Sequence, residues 1–320
     1  MDSLNCLYFI EEEEILLNEK PDFVCDNLKI FQGEYLNKRV FSYFVSDFTE
    51  VINKEILLRI KYSDSFHIPL LGYSINSNPN LGKSFVFEFP SNTFSLASLI
   101  SNNDLIYDKK LMVISELIAL YEFENSRNLN FQSLTLNDLY FNKKTNKLYV
   151  LKYPLMIENK LDVLEYDKLS CLSPEIMKKF YGTKSKVHEE DLNSKTEAWN
   201  LGLLIYEVLE GKHFTSMGEF GVESSKMFNN NPTNQNIKQK LSDFIQNLTN
   251  NYITQRINYL QYNQYIKNLL KKLLKVDQKQ RCCTKVIMQD WIKNFGIVST
   301  PEKDKDSKLN LLNLFRIDNV

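Results

Sequence analysis

"KTEAWNLGLLIYEVLEGKHF", residues Lys195–Phe214, predicts a helix that is apolar on almost every side. A surface helix keeps a polar face, so this one belongs at the centre of the larger part of the folded chain. Its run "LGLLIYEVL" is too short to cross a bilayer and contains Glu207. The helices predicted around it are amphipathic. "LMVISELIALYEF" carries a wide apolar face. "YIKNLLKKLLKV" turns Ile266, Leu269, Leu270, Leu273 and Leu274 inward and its lysines outward. "CTKVIMQDWI" closes this helical part.

The first hundred residues have a different texture, short strands around one helix. "NLKIFQGEYLNKRVFSYFVSD" holds two β-rich runs joined near Tyr35–Lys38, a hairpin pattern. In "TEVINKEILLRIKYS" the period changes, with Ile52, Ile56 and Ile60 on one helical stripe and Ser46 or Asp47 as its cap. "PLLGYSI" and "KSFVFEFP" are further strands, followed by an extended linker, Pro90–Phe94. Further on, "SLTLNDLYFNKKTNKLYVLKYPL", Ser133–Leu155, predicts a turn, two strands around a polar hairpin tip, and a loop. "FYGTKSKVHEEDLNSKTE" reads as an exposed segment and "MFNNNPTNQN" as a flexible insertion. The expected class is α+β with two lobes. Residues 1–19 are an N-terminal extension, 20–90 a β-rich lobe, 91–295 a helical lobe with a polar insertion near 215–260, and 296–320 a tail.

Composition narrows the function. Of 320 residues, 43% are apolar and 25% charged, the mix of a globular protein. Formal net charge is −1, which argues against a general nucleic-acid binder. The five cysteines have no metal-ligand spacing, and their odd number fits no closed disulfide framework. Reduced thiols point to the cytoplasm, with the nucleus left open. The start, "MDSLNCLYFIEEEEILL", places four acids where a signal peptide keeps its apolar run. No membrane role is expected.

Three stretches in the second half resemble the protein kinase family. "LSPEI", Leu172–Ile176, is similar to the family's alanine-proline-glutamate segment, with Ser173 for alanine. In the opening helix Glu197 stands at the acid, ordinarily aspartate, followed by Trp199 and Gly202. "NLLKKLLKVDQKQR" resembles the helix that leads to an arginine partnered with the glutamate after the proline, which implies a buried pair of Glu175 and Arg281. More loosely, "IFQGEYLNKRVFSYF", "NKEILLRI" and "FVFEFP" resemble the glycine-rich hairpin, the glutamate-bearing helix and the strand into the hinge. The resemblance spans Leu28 to Trp291 and leans towards tyrosine-kinase-like Ser/Thr kinases and their inactive relatives.

Phosphoryl transfer needs anchored phosphates, a metal ion and an oriented acceptor. Before Gly72 the chain has only Gly33, so no glycine-rich loop can form. Tyr43 falls at the position of the phosphate-binding lysine. Lys38 and Lys54 are nearby, each better read as a surface residue. Glu55 matches the helix glutamate. Phe131, Gln132 and Ser133 stand for histidine, arginine and aspartate, and a serine cannot be the base without an activating group of its own. Asp138 takes the place of the metal-binding asparagine; a turn role weighs more than a cation role. Lys152, in "LKYP", replaces the main magnesium ligand with a positive charge. Phe131 and Tyr153 keep aromatic surface at hydrophobic-spine positions.

The resemblance therefore implies a kinase scaffold without kinase chemistry: a pseudokinase that binds proteins, with no cofactor and no metal. The alternative is an atypical active Ser/Thr kinase with displaced residues. A membrane-active effector, like the kinase-like protein of necrotic death, would need a helical bundle for which about twenty residues before the small lobe leave no room. Oligomeric state and partner identity are open.

Overall fold

The computed structural model describes residues 8–21, 23–25, 28–45, 66–68, 70–75, 83–126, 134–151, 171–181, 193–212, 214, 243 and 248–295. The chain divides into two compact units, Met1–Ser95 with Leu139–Tyr153, and Leu96–Asp138 with Pro154–Val320. The first is rich in strands and the second in helices, a bilobal α+β architecture.

In the first unit, β4 (Leu28–Tyr35) and β5 (Lys38–Val45) form the expected hairpin, paired from Leu28↔Val45 to Tyr35↔Lys38. Leu36 and Asn37, at φ 50° and 60°, supply the left-handed backbone that a two-residue hairpin turn requires. Around this hairpin lie β1 (Tyr8–Phe9), β2 (Ile15–Leu17), β3 (Phe23–Cys25), β6 (Leu70–Ile75) and β7 (Lys83–Glu88). The sheet runs β1-β6-β7-β5-β4-β2, with β3 also on β4. Strand side chains alternate between faces, and here both faces are apolar. One gathers Ile30, Phe41, Tyr43, Phe85 and Phe87 with Phe89, Tyr149 and Leu151. The other gathers Val40 and Val86 with Ile10 and Ile15.

Ile10 and Ile15 correct the expected boundaries. Within the extension drawn over residues 1–19, Tyr8–Phe9 and Ile15–Leu17 are strands of the sheet. β1 pairs with β6 at one edge, β2 pairs with β4 at the other, and the chain between them covers Val40 and Val86. Gly33 is what lets β2 approach. A β-carbon there would lie 2.3 Å from the Leu16 carbonyl oxygen. The β-rich unit also extends past residue 90. Thr93–Ser95 (β8), within the expected linker, pairs with Leu139–Asn142 (β9), which pairs with Leu148–Val150 (β10).

In the second unit, the Ser194–Glu210 helix is the buried centre, with Trp199, Leu201, Leu204 and Ile205 each at most 1% exposed. Asn193 begins it with a capping box that includes Thr196, and Gly211, at φ 70°, ends it. The Tyr107–Asn125 and Thr284–Phe295 helices pack against it and against each other. Gly202 lets the end of the Gln264–Leu273 helix approach closely, since a β-carbon there would meet Leu273 Cβ at 2.9 Å. The Gln264–Leu273 helix buries Ile266, Leu269, Leu270 and Leu273 as its period predicts. The insertion expected near 215–260 ends in ordered structure instead. Asn250–Tyr259 is a helix capped by Thr249, with Ile253 and Ile257 buried. No helix among the described residues is long and apolar enough to cross a membrane.

Candidate functional site

In the β-rich unit, Tyr43 projects from β5 into the aromatic face of the sheet and is 3% exposed. Strand register sets it beside Ile30 and Phe85, and its ring tilts against Phe87 at 4.7 Å. Its hydroxyl donates to the carbonyl of Leu151, the residue before Lys152. A phenol suits this place: the ring joins an apolar cluster while the one polar atom finds an acceptor.

Two residues along β5 from Tyr43, on the same face, Phe41 meets Phe89 edge-on at 4.7 Å and Tyr140 at 5.7 Å. Phe89 meets Tyr140 at 5.1 Å. Phe89 belongs to "FEFP", the stretch similar to the hinge. Its backbone N–H donates to the Arg39 carbonyl at 2.8 Å, and the Arg39 guanidinium lies over its ring at 4.8 Å. The aromatic rings beside this hinge-like stretch thus pack on one another.

In the helical unit, Asp138 closes a 3-10 turn, Leu136–Asp138, and is 1% exposed. Its Oδ2 accepts from the Thr135 backbone N–H and from Thr135 Oγ1, both at 2.8 Å. That is a turn carboxylate satisfied by its neighbours. Next to it, Asn200 Nδ2 donates to the Leu134 carbonyl at 3.0 Å, and Tyr121 donates its hydroxyl to Asn200 Oδ1. Burial, with Glu197, Cys171 and Asp138 close by, holds the Tyr121 phenol well above its usual range, so it remains a donor. Two helices thereby hold the chain directly after Ser133.

Arg281 and Glu175 meet bidentately, NH1 to Oε1 and NH2 to Oε2, both at 2.6 Å. The Arg281 side chain is 0% exposed and that of Glu175 23%, so the pair is buried on one side only. Arg281 Nε also donates to the Lys275 carbonyl at 2.6 Å, and NH1 to the Lys195 carbonyl at 3.1 Å. Its guanidinium lies 5.1 Å from the Trp199 ring centroid. Glu197 and Trp199 are each 1% exposed, on the central helix.

Glu55, Phe131, Ser133, Lys152 and Tyr153 lie outside the described residues. Among the described residues, no group of three or more His, Cys, Asp or Glu side chains could hold a metal ion. Sequence reasoning missed Phe41, Phe89 and Tyr140 as one cluster, and Asn200 with Tyr121. An asparagine inside an apolar helix was the one available signal.

No family model matches the sequence, and no curated protein does. Among solved structures the chain is similar to the one described as the crystal structure of Rad53 1-466 in complex with AMP-PNP, at 13% identity and a TM-score of 0.60. The match covers 87% of this chain and 65% of that one, so this chain spans less than two thirds of its length. At that identity the likeness shows the fold alone, and the fold is protein-kinase-like.

Proposed function

We propose that this chain is a catalytically inactive protein-kinase-like domain that acts by binding other proteins. The observation that carries the proposal is Tyr43. At the position where the family resemblance calls for a phosphate-binding lysine, a phenol closes an aromatic core and bonds to the backbone beside Lys152. The turn role of Asp138 supports the same conclusion. Replacement of the phosphate-binding lysine, the catalytic base and the main metal ligand, beside the scaffold pair Glu175–Arg281, supports a fold kept for its surfaces.

The AMP-PNP bound in the Rad53 structure favours a second function, an atypical Ser/Thr kinase. That function would need a nucleotide to displace Phe41, Phe89 and Tyr140 from one another. Purified chain incubated with labelled ATP, magnesium or manganese, and a generic protein substrate separates the two. Absence of transfer is expected. Transfer abolished by Asp138→Ala and Lys152→Ala would establish the enzyme.

A further inference from the structure

An exposed isoleucine begins the Tyr107–Asn125 helix. Ile106 is its N-cap residue, makes no side-chain cap and is 69% exposed. Elsewhere in the helical unit Asn193, Thr249 and Asn263 cap their helices with side-chain oxygens. Isoleucine ranks low at such a position, and here it also leaves apolar surface in water.

Ile106 stands at one end of an aromatic strip. The next residue, Tyr107, is 41% exposed and stacks on Tyr262, with ring centroids 5.8 Å apart. Tyr262 is fixed in turn: its hydroxyl donates to the Leu209 carbonyl at 2.8 Å, an acceptor shared with the Lys110 ammonium at 2.7 Å. Three residues on, in the first turn of the Gln264–Leu273 helix, Tyr265 meets Phe295 edge-on at 5.0 Å. Phe295 stacks on Trp291 at 4.3 Å. Tyr262, Tyr265 and Phe295 are each only partly buried. These ring contacts and the short run from Tyr262 to Tyr265 keep Ile106 and Phe295 within roughly 35 Å of each other.

The described residues end at Phe295, at the far end of this strip. The sequence beyond it has two textures. "PEKDKDSK", Pro301–Lys308, is charged at six of its eight positions, and "LNLLNLFRI", Leu309–Ile317, is apolar at six of its nine. A run that apolar is driven out of water onto other apolar surface. The chain from Phe295 to Leu309 can span about 45 Å, enough to reach any part of the strip. We propose that Leu309–Ile317 docks on this strip within the same chain, on Ile106, Tyr107, Tyr262 and Phe295, with Pro301–Lys308 as its tether. The tether holds the segment at a local concentration on the order of millimolar, so modest affinity is sufficient. The inference concerns the helical unit alone and stands apart from the protein-binding reading above.

The test uses the full chain, a full-length variant with a disabled tail (Leu312→Ser/Phe315→Ser), and a fluorescent peptide of residues 308–317 followed by anisotropy. The peptide is expected to bind the tail variant about tenfold or more tightly than the wild-type chain, whose own tail competes for the strip. A peptide carrying the same two serines should not bind. Adding Ile106→Ser to the tail variant should weaken peptide binding about tenfold or more. Serine is a favoured N-cap residue, so the same substitution should hold or raise the thermal midpoint, which separates lost docking from lost folding. Equal binding to the two chains, binding indifferent to Ile106→Ser, or no binding to the tail variant overturns the proposal. Wild-type self-association that disappears in the tail variant would assign the strip to the tail of a second copy and overturn docking within one chain.

Discussion

The hydroxyl of Tyr43 donates to the carbonyl of Leu151, 108 residues further along the chain. Both residues are buried in one aromatic cluster, so water cannot replace the bond if it is lost. Tyr43→Phe should therefore cost about 1–3 kcal/mol, the penalty for a buried acceptor left without its donor. Tyr43→Lys should cost more, because an ammonium group must leave water for a ring-lined site. Urea denaturation measures both. Phosphotransfer restored by Tyr43→Lys would overturn the structural role assigned here.

Arg281→Ala should remove about 2–3 kcal/mol, less than the roughly 3–5 kcal/mol of a fully buried charge pair because Glu175, left behind, is partly solvated. Arg281→Lys should recover little of this, because an ammonium cannot reproduce the two parallel bonds to Glu175. Chemical denaturation reads the difference, and a loss below roughly 0.5 kcal/mol for the alanine variant would contradict the pairing.

Gly33→Ala should destabilise the chain by about 1–3 kcal/mol, since the new methyl group meets backbone rather than a side chain that can move. Amide exchange should rise in Ile15–Leu17, the strand pushed aside. Were Gly33 part of a phosphate loop, exchange in that strand would not change.

Tyr262 supplies a pH test. Burial raises its phenol to about 12, with Glu210 and Tyr107 adding to the effect. Its hydroxyl donates to the Leu209 carbonyl at 2.8 Å, which a phenolate cannot do. The folded value lies above the unfolded value of 10.0, so the stabilisation is complete below pH 10.0 and is lost as pH rises towards about 12. Urea midpoints across that window should fall more steeply for the native chain than for Tyr262→Phe.

Titration of ATP by calorimetry should show no sub-millimolar affinity that magnesium strengthens. Phe41, Phe89 and Tyr140 pack against one another beside the hinge-like stretch, and before Gly72 the sequence offers Gly33 alone to a phosphate loop. Magnesium-dependent binding would reveal a metal site and reopen the enzyme reading.

Local pattern made much of this legible beforehand. The central helix is apolar all round, the Gln264–Leu273 helix keeps its leucines on one face, and Tyr35–Lys38 joins two alternating runs. Each signal lies within some twenty consecutive residues, and helix and strand periods of 3.6 and about 2 act at that range. Residue content was legible too: Gly33 is the one glycine before Gly72, and Val40–Val45 holds no lysine.

What the sequence by itself determined, then, is the order of elements and which side chains stand where the resemblance assigns kinase chemistry. Tertiary structure decided what stands in the vacated positions. "EEEEILL" looks like an acidic extension until Ile10 and Ile15 are seen on Val40 and Val86, covering a sheet face. Nothing near Tyr43 in the chain announces Leu151, and nothing near Asn200 announces Tyr121 or Leu134. Such partners become neighbours only when distant strands and helices pack. Whether a buried hydroxyl or amide is stabilising depends on the acceptor that packing brings within about 3 Å.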